Sequence, residues 1–79
     1  MHFVYILQSL ENPDRFYIGE TACLDKRLYE HNSGFSIHTN KFKPWKIRTY
    51  FAFDDVLRAK EFEAYLKTRS GRAFAKKRF

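Results

Sequence analysis

Cysteine is almost missing from this chain. Cys23 is the single one in 79 residues, so no internal disulfide can form, which fits a reducing compartment such as the cytoplasm. One cysteine and three scattered histidines give no zinc-site spacing. No apolar run approaches the roughly 20 residues that a membrane span requires. With 30% of its residues charged, the chain is not expected to enter a membrane. Nothing resembles a secretion leader, because Met1-His2 leads straight into a strand pattern. Internal repeats and low-complexity segments are absent. Acidic residues stop at Glu63.

What is present is aromatic and basic. Aromatic residues make up 19% of the chain, and nine of them are Phe. The length allows one domain, residues 1–79, and a chain this short buries only about 60–65% of its unfolded surface. Large rings compensate by packing much area per residue. The net charge is +6 and the isoelectric point 9.7. Beyond Glu63 come Lys67, Arg69, Arg72, Lys76, Lys77 and Arg78 with no acid among them. A second cluster, Lys41, Lys43, Lys46 and Arg48, surrounds Pro44-Trp45. Each cation alone is an ordinary solubilising residue. Two acid-free clusters on so small a body favour contact with nucleic-acid phosphates.

The pattern predicts six elements. Val4-Tyr5-Ile6-Leu7 and Phe16-Tyr17-Ile18-Gly19 flank the turn-forming Glu11-Asn12-Pro13-Asp14 and read as a β-hairpin. Tyr5 and Tyr17 are expected near one another where a sheet surface meets solvent. A first helix follows, with Thr21 as N-cap, Asp25 in the first turn, Leu24 and Leu28 as its apolar stripe, and Gly34 as the left-handed residue after it. Arg27 and His31 are four apart and share a face near that stripe. Residues 34–45 read as a loop, packed down in part by Phe35, Phe42 and Trp45. Ile47–Phe53 is a third strand, although its alternation is imperfect. Asp54 or Asp55 caps a second helix with Val56, Ala59, Phe62 and Leu66 on its apolar stripe. Glu63 borders that stripe and Glu61 does not. Ser70-Gly71 is expected to break this helix, with Ser70 capping a third. The order β-β-α-β-α-α implies an α+β fold, a three-stranded, mainly antiparallel sheet flanked by helices.

The polar residues that point toward the body are Arg27, His31 and Glu63, beside Tyr5 and Tyr17. This set resembles the GIY-YIG nuclease family, whose two strand motifs appear here as Phe3-Val4-Tyr5 and Tyr17-Ile18-Gly19. Arg27, His31 and Glu63 match the family's arginine, its histidine or tyrosine one turn later, and its glutamate on a later helix. Tyr17-Ile18-Gly19-Glu20-Thr21, Arg27-Leu28, Glu30-His31-Asn32, Lys43-Pro44-Trp45-Lys46 and Phe62-Glu63-Ala64-Tyr65-Leu66-Lys67 resemble small stand-alone bacterial members. The resemblance covers essentially the whole chain. Three departures stand out: Phe3 replaces the first glycine, Glu20 stands where some members have lysine, and residues 68–79 lack an asparagine that many members carry. Phosphate positioning is then expected to fall to Arg72 or Lys76, or to be weaker.

The resemblance implies metal-dependent hydrolysis of DNA phosphodiesters. Glu63 is the expected ligand of one Mg²⁺ or Mn²⁺, which binds through few carboxylates and keeps most of its waters. Arg27 would grip a phosphate with its planar fork. Tyr17 is the first choice for taking the proton of the attacking water, with Tyr5 and His31 as alternatives. Ionising a free phenol at pH 7 costs about 4 kcal/mol, so such a base needs help from its neighbours. DNA contacts are expected from Lys41, Lys43, Lys46, Lys67, Arg72, Lys76 and Lys77. The chain is expected to be a monomer or weak homodimer, without a small-molecule cofactor, and to select DNA by shape. Each residue taken singly has an ordinary role: the tyrosines as sheet aromatics, Arg27 paired with Glu30 or Glu63, His31 at a helix C-terminus. His38, Thr39 and Trp45 read as loop packing, with base stacking as the alternative for Trp45, and Cys23 reads as a small buried filler. The rival functions are a nucleic-acid-binding module that has lost catalysis and a protein-interaction domain with a solubilising tail.

Overall fold

The computed structural model describes residues Met1–Phe79. A three-stranded sheet in the order β2-β1-β3 lies between helical layers. Its strands are β1 (His2–Ser9), β2 (Phe16–Thr21) and β3 (Trp45–Phe53), and both neighbours pair antiparallel to β1. The helices are α1 (Leu24–Asn32), α2 (Val56–Leu66) and α3 (Arg69–Arg78). The expected α+β architecture and element order are present. No helix is long and apolar enough to cross a membrane.

β1 explains why its apolar run is unbroken. As the central strand it is covered on both faces, so Val4, Tyr5, Ile6 and Leu7 are all buried. Val4 and Ile6 pack with Ala59 and Leu66, joined by Ile18, Phe51, Phe53, Phe62 and Ala75. Tyr5 and Leu7 face the other way and pack with Trp45, Leu24, Leu28, Tyr17, Phe42 and Ile47. α2 and α3 therefore close one face of the sheet, and α1 closes the other.

The imperfect alternation in β3 has a geometric cause. Leu7 pairs with Ile47 and Ile6 with Thr49, so Arg48 is an extra residue and forms a bulge. Side-chain parity reverses across it. Trp45 and Ile47 reach the α1 face, whereas Phe51 and Phe53 reach the α2 face.

Several boundaries differ from expectation. β2 continues through Thr21, which pairs with Phe3, so Thr21 does not cap α1. Cys23 is the N-cap, without a side-chain bond, and the Thr21 hydroxyl instead accepts from the Cys23 N–H at 3.1 Å. Cys23 is exposed rather than a buried filler. β3 begins at Trp45, which pairs with Ser9, rather than at Ile47. Phe35 is 71% exposed and does not pack the loop down. Val56 opens the first turn of α2 and is exposed, so the buried stripe is Ala59, Phe62 and Leu66. Asp55, not Asp54, caps α2 by accepting from the Leu57 N–H at 2.9 Å. The break between α2 and α3 falls at Lys67-Thr68 rather than at Ser70-Gly71. Thr68 decides this: its hydroxyl donates to the Tyr65 carbonyl at 2.6 Å and accepts from the Gly71 N–H at 3.0 Å. Gly34 has φ +82°, as its place after α1 predicts.

Candidate active site

Four of the five candidate side chains meet on the α1 face. The register sets Tyr5 opposite Gly19 and Leu7 opposite Tyr17, so the tyrosines are diagonal neighbours with ring centroids 6.5 Å apart. Gly19 makes this approach possible. A Cβ there would stand 2.6 Å from Tyr5 Cζ, closer than carbon contacts allow, and 3.2 Å from Tyr17 Cε2, a tight contact. The His31 ring sits 5.0 Å from that of Tyr17 and 5.9 Å from that of Tyr5. Tyr5 is 2% exposed, so the solvent-facing phenol is the half-buried Tyr17 and not the pair.

His31 has no solvent exposure, yet both ring nitrogens are satisfied. Nε2 is 2.9 Å from Tyr5 Oη, and Nδ1 is 2.7 Å from Thr39 Oγ1. Burial first, and then the charge of Arg27, push its pKa down to about 4 against a weaker pull from Glu30. The ring is neutral at pH 7. Burial pushes the Tyr5 phenol up to about 12, although the Arg27 guanidinium beside it opposes the shift. Arg27 is half-buried and donates to Glu30 at 3.0 Å, one turn along the same helix.

Glu63 comes from the opposite layer. It is half-buried on α2, while Glu61 is exposed, and its nearest cation is Lys67 Nζ at 3.2 Å. It does not pair with Arg27. Its negative charge still contributes to the upward shift of Tyr5, so the carboxylate and the phenol share one electrostatic neighbourhood. Glu20 fastens α2 to β2. It accepts from Lys60 at 2.7 Å and bonds His2 at 2.8 Å, and Lys60 holds its carboxyl below the usual range. Thus Glu20 draws a lysine of α2 to the same strand.

No three His, Cys, Asp or Glu side chains converge to cage a metal. Glu63 offers one hard carboxylate, 22% exposed, which suits Mg²⁺ or Mn²⁺ held by a single protein ligand and water. Lys41 and Lys43 are exposed between α1 and β3, Lys46 is exposed near the start of β3 beside Trp45, and Lys67, Arg72, Lys76 and Lys77 are exposed at the end of α2 and along α3. Trp45 is buried, and its Nε1–H donates to the Thr39 carbonyl at 2.8 Å, so it packs the loop and does not offer a stacking face.

Sequence reasoning missed three supporting residues. Thr39 is fully buried and bonds His31. Asn32 clamps the far end of the loop, donating to the Trp45 carbonyl at 3.0 Å and accepting from its N–H at 2.6 Å. Gly19 leaves the space that Tyr5 fills. The sole advance signal was chemical: a histidine on an apolar helix face needs two hydrogen-bond partners.

Two phenols, a guanidinium and a buried imidazole share one face of the sheet, with a carboxylate from the opposite layer in electrostatic reach, and together they mark a candidate catalytic site in an α+β fold. A profile of the GIY-YIG catalytic domain matches residues 1–78, and the chain belongs to that family. It is also 36% identical over 67 residues to the structure-specific endonuclease subunit SLX1 of the yeast Scheffersomyces stipitis, a match covering 76% of this chain and 20% of the relative. The same-named subunit of Debaryomyces hansenii is 40% identical over 50 residues, covering 56% of this chain and 14% of the relative. The chain therefore spans about a fifth or less of the length of these relatives. Both are yeast proteins and give no support to the bacterial source that the resemblance implied.

Proposed function

We propose that this domain is a metal-dependent endonuclease that hydrolyses DNA phosphodiesters and selects DNA by shape. The observation that carries the reading is the convergence of Tyr5, Tyr17, Arg27 and His31 on one sheet face, within electrostatic reach of Glu63. The family and its structure-specific relatives support DNA as the substrate.

Arg27 holds a nonbridging phosphate oxygen through its guanidinium. Tyr17, the phenol in contact with solvent, takes the proton of the attacking water on its oxygen as it passes its own phenolic proton to solvent. Water oxygen forms the new bond to phosphorus, the bond to the 3′ oxygen breaks, and that oxygen takes a proton from solvent. Tyr5, kept neutral by burial, hydrogen-bonds the nucleophile or the Tyr17 oxygen. His31 is sealed from water and acts through Tyr5. Glu63 would hold one Mg²⁺ or Mn²⁺, which supplies positive charge for the phosphate and the departing oxygen. Lys41, Lys43 and Lys46, with Lys67, Arg72, Lys76 and Lys77, supply sequence-independent phosphate contacts. The domain works as a monomer or weak homodimer.

The deciding experiment is nicking of supercoiled plasmid and of a labelled branched junction with Mg²⁺ or Mn²⁺, wild type beside Glu63→Ala. Cleavage by wild type and not by the variant is expected, with DNA binding kept by both. Binding without cleavage in wild type would make the domain a DNA-binding module. Equal cleavage by both would refute the role of Glu63.

A further inference from the structure

In the loop between α1 and β3, the side chain of Thr39 turns inward and ends on the site. Thr39 is fully buried, and its hydroxyl lies 2.7 Å from His31 Nδ1. Its backbone is held as well, because its carbonyl accepts from Trp45 Nε1 and its N–H donates to the Ser36 carbonyl at 3.2 Å. Asn32 locks the end of the loop to α1 through both backbone groups of Trp45. The hydroxyl is therefore presented to the imidazole by a fixed frame.

The Thr39 hydroxyl has one proton and two acceptors within reach. The Ser36 carbonyl is 3.5 Å away, at the outer limit of a hydrogen bond, and it already accepts from the N–H groups of Thr39 and Asn40. His31 Nδ1, at 2.7 Å, is the better acceptor. The 2.9 Å from His31 Nε2 to Tyr5 Oη fits either donor, so the Thr39 proton sets the order: with Nδ1 accepting it, Nε2 carries the hydrogen of the neutral ring.

We propose that Thr39 is a positioning residue: its hydroxyl donates to His31 Nδ1, fixes the Nε2–H tautomer, and directs that N–H onto the Tyr5 oxygen. The tautomer determines what Tyr5 can do. With its oxygen accepting from His31, Tyr5 keeps its own proton free for the cleft, where it can donate to the nucleophilic water or to Tyr17. In the opposite order Tyr5 would spend that proton on His31 and have none to give.

This role rests on the nuclease reading, but the proton order can be measured without DNA. Long-range ¹H–¹⁵N correlation at pH 7 should show His31 protonated on Nε2 and bare on Nδ1. In Thr39→Val the Nδ1 signal should move to that of an acceptor with no donor, and Thr39→Ser should restore it. In plasmid nicking, Thr39→Val should lower kcat about tenfold with KM little changed, the effect expected for losing one buried hydrogen bond's worth of orientation. Thr39→Ser should recover kcat. Protonation of wild-type His31 on Nδ1 would overturn the proposal, and so would wild-type kcat in a folded Thr39→Val. A wild-type chain that cuts no DNA would defeat the nuclease reading, while the spectrum would still decide the proton order. That spectrum needs wild type alone, so poor folding of the valine variant cannot obscure it.

Discussion

Gly19→Ala should damage the site and the fold together, by an amount the geometry allows to be worked out. Gly19 lies directly across from Tyr5, and the added Cβ would sit 2.6 Å from Tyr5 Cζ. Carbon atoms rest at about 3.5–4.0 Å, so the ring must move by about 1 Å. It has nowhere easy to go, because Tyr5 is 2% exposed and its hydroxyl is tied to His31 at 2.9 Å. Overpacking of this kind costs about 1–3 kcal/mol, and a broken buried hydrogen bond adds about 1 kcal/mol. A total near 3 kcal/mol lowers the melting temperature of a domain this size by about 12–24 °C. A 1 Å misplacement of a reacting group costs about a hundredfold in rate. The assay is thermal unfolding by circular dichroism, with Mg²⁺-dependent nicking measured below the variant's transition. Gly34→Ala is the control. Its φ of +82° makes alanine costly by about 1–2 kcal/mol, but Gly34 touches none of the five site residues. It should lower the melting temperature modestly and spare cleavage. A Gly19→Ala that melts and cuts like wild type, or that matches Gly34→Ala, would refute the reasoning.

The neutral, buried His31 makes stability depend on pH. The unfolded ring protonates near 6.5 and the folded ring only near 4, so between these values the unfolded chain binds the extra proton. The contribution is whole above pH 6.5 and is lost as pH falls toward 4, about 3 kcal/mol in all. Urea unfolding at pH 7 and pH 4.5 should show wild type losing more stability than His31→Gln, and parallel losses would count against a neutral His31. Lys67 neutralises Glu63 at 3.2 Å before any ion arrives, and an exposed pair contributes about 0–1 kcal/mol. Lys67→Met should thus lower the Mn²⁺ midpoint, read by paramagnetic broadening without DNA, by up to about fivefold; a higher midpoint would count against Glu63 as the ligand. Lys43→Glu with Lys46→Glu should reduce the slope of log affinity against log salt by about two units, and a slope equal to wild type would remove this cluster from the DNA contact.

The sequence revealed the elements wherever one periodicity ran unbroken. The all-apolar Val4–Leu7 run was legible as a strand, and the wheel position of His31 beside Leu24 and Leu28 correctly turned it inward. Glu63 and Glu61 were likewise sorted correctly by helical spacing. What stayed hidden depends on pairing across the chain. The bulge at Arg48 reverses side-chain parity within β3, and nothing in Ile47–Phe53 alone marks the point of reversal. Thr21 looked like a helix cap because caps and strand ends favour the same residue, and only its pairing with Phe3 decides between them. Thr39 sits eight residues from His31 in a segment with no period, so no face could be assigned to it. Gly19 was visible as part of a motif, but its physical reason required the register that sets it against Tyr5.

In a domain of 79 residues the site and the core compete for the same interior, and this fold resolves the competition by dividing the site in depth. Tyr5, His31, Thr39 and Gly19 are all buried. They pack as core residues do, which holds their hydrogen bonds in one arrangement before substrate arrives, the condition under which polar groups act without reorganising. Tyr17, Arg27 and Glu63 are half-buried, on β2, α1 and α2, and their polar ends remain available to water, phosphate and metal. Of the buried half only Tyr5 lies beside both Tyr17 and Arg27, so any influence of the other three on the reacting groups passes through it. This division explains why burial that raises the Tyr5 pKa is compatible with function. In the proposed mechanism, a phenol that stays neutral serves as hydrogen-bond donor, and proton acceptance falls to the tyrosine that solvent can reach.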